Sequence, residues 1–187
     1  MRCRRSRGDD ERLPVDARQS TKAPASTNKL LSNAVGVKPS GWLFGMRFEK
    51  SIDIDAQQQR VWDVLSDLEA WPRRIETVDV VELLTAPPVG EGTRVRLKQP
   101  KLPEGTWDIT VWDEPSYFEW SQKSGGVTNM AGHHVEALKE GRSRLTLSLD
   151  MRGLMIPVIA LFYKGLTNRY MDLEAEGIKR AAESGDL

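Results

Sequence analysis

Apolar and polar positions first fall into order at Phe48. In "RFEKSIDID" Phe48, Ile52 and Ile54 share one face of a strand, and Lys50 breaks the pattern near its start. Asp55 reads as the N-cap of the helix that follows, with Gln58 completing a capping-box spacing. In that helix Val61, Leu65 and Leu68 recur at i, i+4 and i+7, an inward stripe. Pro72 is expected to stop regular helix near Trp71, because the residue before a proline avoids the helical region.

Six more strand-like segments follow: "TVDVVELL", "TRVRLKQ", "TWDITVWD", "YFEWSQ", "VTNMAGHHVEAL" and "SRLTLSLDM", separated by Gly-, Pro- and Ser-bearing turns. The last alternates most cleanly, with Leu145, Leu147, Leu149 and Met151 against Arg144, Thr146, Ser148 and Asp150. Val95/Leu97 and Trp107/Ile109/Val111 repeat the pattern, which marks an antiparallel sheet with one wet face. The chain closes in a helix from about Ile156 to Glu183. There Met155, Ile159, Phe162, Leu166, Tyr170, Leu173 and Gly177 form one continuous stripe, and Pro157 sits where a first-turn proline is tolerated. Seven antiparallel strands, a short helical pair after the first and one long helix bury their apolar faces most simply if the sheet curls around the long helix. The fold class is α+β.

Composition adds limits. A chain of 187 residues suffices for one cored domain and is short for two. The formal charge is zero, so no overall field draws in nucleic acid, and none is expected as a partner. Residues 1–45, however, hold nine Lys/Arg and four Asp/Glu and lack a sustained apolar period. They read as a disordered basic leader, or as untranslated sequence with Met46 as the true start; residues 46–187 form the domain. The single Cys3 cannot form an internal disulfide. The longest apolar run, "LMIPVIALFY", is about half the ~20 residues of a spanning helix. No integral membrane segment is expected, and the location expected is cytoplasmic.

Candidate chemistry is sparse. His133 and His134 are the only histidines, and as neighbours on a strand they face opposite ways, so they cannot share a metal or a substrate. With Val135 and Ala137 as the apolar alternation, His133 points inward beside Asn129, and His134 outward beside Glu136; the opposite register would bring His134 and Glu136 inside as an acid–base pair. An inward His133 serves as a polar handle or a general base, or simply as a core histidine with one satisfied bond. Parity also places Phe118 and Trp120 inward, Glu119 toward water, and Leu97 with Gln99 on one face. Trp107 is a further wall candidate, and on the long helix so are Phe162, Leu166, and the hydroxyls of Tyr163 and Tyr170. Arg169 could meet an anionic group at the mouth. There is no phosphate-binding glycine loop, no G-x-S-x-G elbow and no spaced Cys/His set, so no cofactor and no metal are expected.

The segments "IDIDAQQQRVWDVLSDLEAWPRRI", "PVGEGTRVRL", "YFEW", "HHVEALKEGRSRLTL" and "LEAEGIKRAAE", in this order, resemble the START-like (Bet v 1-like, SRPBCC) superfamily, specifically its polyketide cyclase/dehydrase branch. The resemblance covers residues 46–187. It implies a helix-grip fold that holds apolar ligands between the sheet and the long helix, with Trp62 and Trp71 at one end of the cavity. It also implies a binding protein for a small hydrophobic or aromatic molecule (lipid-, polyketide- or isoprenoid-like), monomeric or homodimeric. The alternatives are a polyketide aromatase/cyclase or dehydratase with His133 as its acid–base residue, and an interaction module using the apolar start of the long helix.

Overall fold

The computed structural model describes residues 45–185; the expectations for the leader, apart from its last residue, lie outside them. The order is β1 (Gly45–Ile54), α1 (Gln58–Ser66), one 3-10 turn (Leu68–Ala70), α2 (Trp71–Arg74), β2 (Val80–Leu83), β3 (Arg94–Lys98), β4 (Gly105–Asp113), β5 (Tyr117–Ser124), β6 (Val127–Ala137), β7 (Ser143–Gly153) and α3 (Ile156–Ser184). The seven strands form one antiparallel sheet in the order β1-β7-β6-β5-β4-β3-β2. Every strand therefore pairs with its chain neighbour except β1, which returns to the edge beside β7. No helix among the described residues is long and apolar enough to cross a membrane.

Local signals were met in part by other residues. The helix after β1 is capped at Gln57, with no side-chain cap bond. Asp55 instead donates its backbone N–H to Glu183 Oε1 at 2.9 Å, and Gln58 Nε2 donates to the Val135 carbonyl at 2.8 Å. Both groups serve as ties between elements, which outweighed local capping. Pro72 begins a helix rather than ending one: the break comes at Asp67, and Pro72 occupies the first turn of α2, where its missing N–H costs nothing. Lys50 belongs to the inner face of β1 after all, since its Nζ reaches Asp172 of α3 at 2.7 Å.

A register shift between Ile109 and Val111 bends β4 against β5. The extra residue reverses the parity beyond it, so Val111 is exposed and Trp112 turns inward onto Trp62 and Phe118. The core joins α1, the 3-10 turn and α2 to the inner sheet face through Val61, Trp62, Leu65, Leu68, Phe118 and Leu145. Each such buried side chain is worth about 1.5–3 kcal/mol relative to exposure.

The α3 helix is fixed by its C-terminal half. Ala175, Gly177, Ile178, Ala181 and Ala182 are buried there. A Cβ on Gly177 would lie 2.5 Å from the Arg74 carbonyl oxygen, so only glycine lets α3 pass this close to α2. Arg60 donates to the Ala181 carbonyl at 3.1 Å, and Lys179 to the Asp53 carbonyl at 2.6 Å.

On the sheet's outer face Tyr117 Oη donates to Glu119 Oε2 at 3.1 Å, and Thr110 donates to Glu119 Oε1 at 3.1 Å. Glu119 is thus half-buried in a small polar cluster rather than free in water. Burial foremost, then the charge and hydrogen bond of Glu119, pushes the Tyr117 phenol up to about 12. The folded state holds this proton more tightly than the unfolded chain. The associated stability is therefore complete below pH 10.0 and is lost as pH rises toward about 12. Tyr117→Phe is expected to flatten that alkaline limb. Melting temperatures measured across the interval check it, and an unchanged slope would contradict the assignment.

Candidate functional site

Between the inner sheet face and α3 lies a cavity of about 390 Å³. Trp107 of β4, Trp120 of β5, Ala131 of β6, and Leu147, Leu149 and Met151 of β7 line its sheet side, with Leu97 of β3 beside them. Trp71 closes the inner end, held by its Nε1–H donated to the Leu65 carbonyl at 2.9 Å. Ile159, Tyr163, Thr167, Tyr170, Met171 and Glu174 face it from α3. Lining residues that are exposed, namely Pro103, Ser124, Gly125 and Tyr163, place the mouth between the β3–β4 loop, the β5–β6 turn and the start of α3.

One polar pair stands deep in this apolar enclosure. His133 is 3% exposed, and its Nε2 lies 3.1 Å from Glu174 Oε1. The imidazole stacks on Phe118, with centroids 4.1 Å apart at 12°, while Trp71 and Trp120 meet it at 5.8 and 5.6 Å. Three aromatic rings and one carboxylate therefore fix the orientation of the imidazole. In the neutral tautomer that donates Nε2–H to Glu174, Nδ1 carries the lone pair, and it has no protein partner among the described residues. Nearer the mouth, Asn129 Nδ2 donates to Gln122 Oε1 at 3.4 Å, and Asn129 Oδ1 is likewise buried and unpartnered. The Gln122 side chain lies over Gly105, where a Cβ would sit 1.7 Å from its Nε2. Tyr170 Oη donates to the Pro100 carbonyl, tying α3 to the β3–β4 loop. Two buried acceptors without donors match a ligand that carries O–H or N–H groups on an otherwise apolar frame.

Of the residues expected from sequence, Trp71, Leu97, Gln99, Trp107, Trp120, Asn129, His133, Tyr163 and Tyr170 lie on the cavity wall. Trp62 does not: it is buried behind the wall against Trp112 and Phe118, with centroids 5.1 and 6.3 Å away. Phe162, 72% exposed, and Leu166 are also outside the lining, as is Arg169, which is exposed. The expected stripe of α3 is turned by about one residue from the face that meets the cavity. His134 is exposed, so the pairing of His134 and Glu136 inside is excluded. Glu174 was not anticipated. It falls four residues after Tyr170 and eleven after Tyr163, on one helical face, and a stripe that counted aromatic hydroxyls as inward would have reached it. Among the described residues no group of three His, Cys, Asp or Glu could hold a metal ion.

The model of the family described as polyketide cyclase / dehydrase and lipid transport matches residues 46–183. The chain belongs to this family. The Zhui aromatase/cyclase from Streptomyces sp. R1128 superposes with a TM-score of 0.64 at 18% identity, over 77% of this chain and 100% of that one. Norcoclaurine synthase from Thalictrum flavum, in complex with dopamine and hydroxybenzaldehyde, gives 0.63 at 14%, over 77% and 90%. A START superfamily protein from Mycobacterium smegmatis gives 0.61 at 17%, over 74% and 97%. Identities this low establish the helix-grip fold alone. No curated protein matches the sequence significantly.

Proposed function

We propose that this polyketide cyclase/dehydrase-family protein is a cytoplasmic binding protein for one small hydrophobic or aromatic molecule bearing hydroxyl groups, such as a polyketide- or isoprenoid-like compound. The observation that carries the reading is the buried His133–Glu174 pair at the end of an apolar cavity of about 390 Å³. Affinity comes chiefly from removing apolar ligand surface from water. Orientation comes from the unpaired acceptors, His133 Nδ1 at the inner end and Asn129 Oδ1 toward the mouth. Native mass spectrometry of protein purified from its own host, followed by solvent extraction, is expected to give a defined molecule at near-stoichiometric amount. Its affinity is expected to fall about tenfold or more in His133→Ala, the loss of one buried hydrogen bond to an imidazole. A clean apo mass, with no small hydrophobic compound raising the melting temperature, would refute the reading.

The His133–Glu174 geometry also favours a second reading, an aromatase/cyclase or dehydratase acting in the same cavity. A carboxylate that holds Nε2–H leaves Nδ1 able to take a proton from a carbon next to a ligand carbonyl and return it to a departing hydroxyl. The cavity shape would supply the positioning. Turnover lost in His133→Ala while the substrate still binds distinguishes this reading from simple binding.

A further inference from the structure

The two residues before α3 and its first two turns carry an apolar face that the cavity does not use. Leu154 is 76% exposed, Leu161 78% and Phe162 72%, with Met155 and Val158 beside them. Spacing of three or four residues puts these side chains on one outward stripe, flanked along one side by Ile159 and Tyr163, which line the cavity. The stripe thus borders the mouth. A cluster of large, proud apolar side chains at the opening of an apolar cavity marks an interaction surface.

The charges around it are sorted. Lys98 and Lys101 lie at the β3–β4 loop, Lys123 at the end of β5, Arg152 at the end of β7 and Lys164 on α3. Among the described residues the acids at this end are Asp79 and Glu104, with Glu104 4.0 Å from Arg96, and Asp150, which is paired with Arg47 at 2.7 Å. The rim is net positive, although residues 46–187 as a whole carry more Asp and Glu than Lys and Arg. A second copy docked across a two-fold axis would set this basic rim against itself. An anionic bilayer meets both features, taking the apolar stripe into its headgroup–acyl boundary and the lysines against its surface charge.

We infer that the Leu154–Phe162 face and its basic rim form a peripheral docking site for anionic lipid bilayers, which sets the cavity mouth against the membrane. The inference rests on this face and its charges and is independent of what the cavity binds.

Flotation of the full chain with phosphatidylcholine vesicles, with and without about one third phosphatidylglycerol, tests it. Binding is expected to the anionic vesicles, falling as salt rises. The double variant Leu161→Glu with Phe162→Glu is expected to lower the bound fraction at least about tenfold at unchanged circular dichroism. Leu154→Glu, outside the helix, should act in the same direction, and Lys101→Glu with Lys164→Glu should remove the preference for anionic lipid. A wild-type chain that does not float overturns the inference, whether the face then proves to be covered by a second copy or by residues 1–44. Flotation unchanged by the Leu161/Phe162 variant also overturns it, by assigning the binding to some other basic segment.

Discussion

Trp62→Ala is expected to cost about 3–5 kcal/mol of folding stability, the range for truncating a large aromatic side chain in a packed interior. Trp62 is 1% exposed, wedged edge-on against Trp112 and Phe118, and none of its surface faces the cavity. The indole joins α1 to the bent stretch of β4, so its loss leaves a void that neither element can close without moving the other. A urea titration should show a lower midpoint at an unchanged slope. The protein that remains folded should bind a fluorescent naphthalene probe as the wild type does. A small shift in midpoint, or loss of the probe with stability intact, would return Trp62 to the cavity wall.

Ala131→Trp should do the reverse. Ala131 lies on β6 between Trp120 of β5 and Leu149 of β7, on the floor of the cavity and two residues from His133. An indole there projects into open space rather than into packed atoms, so it occupies volume without the strain of overfilling a core. Ligand affinity is expected to drop about a hundredfold or more, because a site that gains its energy from apolar burial loses the surface it would bury. The melting temperature should hold or rise. Titration of the extracted ligand beside a thermal melt measures both. Undiminished affinity in a folded Ala131→Trp protein would place the ligand elsewhere.

The contrast between these two sites shows what could be read from the chain. Parity on a strand offers only two choices, and the flanking Val135 decided between them, so His133 was legible as inward before any geometry was known. The same rule misplaced Val111, because a bulge adds one residue to β4 and nothing in "DITVWDEP" marks where. On α3 the difficulty is continuous rather than binary. Successive side chains turn by about 100°, and a stripe defined by apolarity alone drifts once one face meets a cavity instead of a core. Facing a cavity, α3 presents Tyr163, Thr167, Tyr170 and Glu174 inward, while Leu161 and Phe162 look outward. The apolar signal was real, but it belonged to two surfaces at once. The overall order of strands and helices survived these errors because each element needed only one buried face to be assigned.

The close approach at Gly177 gives α3 a fixed root. Its root, from Ala175 to Ala182, is clamped by backbone contact with Arg74 and by the reach of Arg60 and Lys179 into neighbouring main chain. Toward the mouth the helix is held by single side chains, Tyr170 on the Pro100 carbonyl and Lys50 on Asp172, and a Cβ on Gly165 would meet nothing within 4 Å. Glu174 stands beside that root, so the His133–Glu174 contact is set by the clamped part of the helix and not by the span over the mouth.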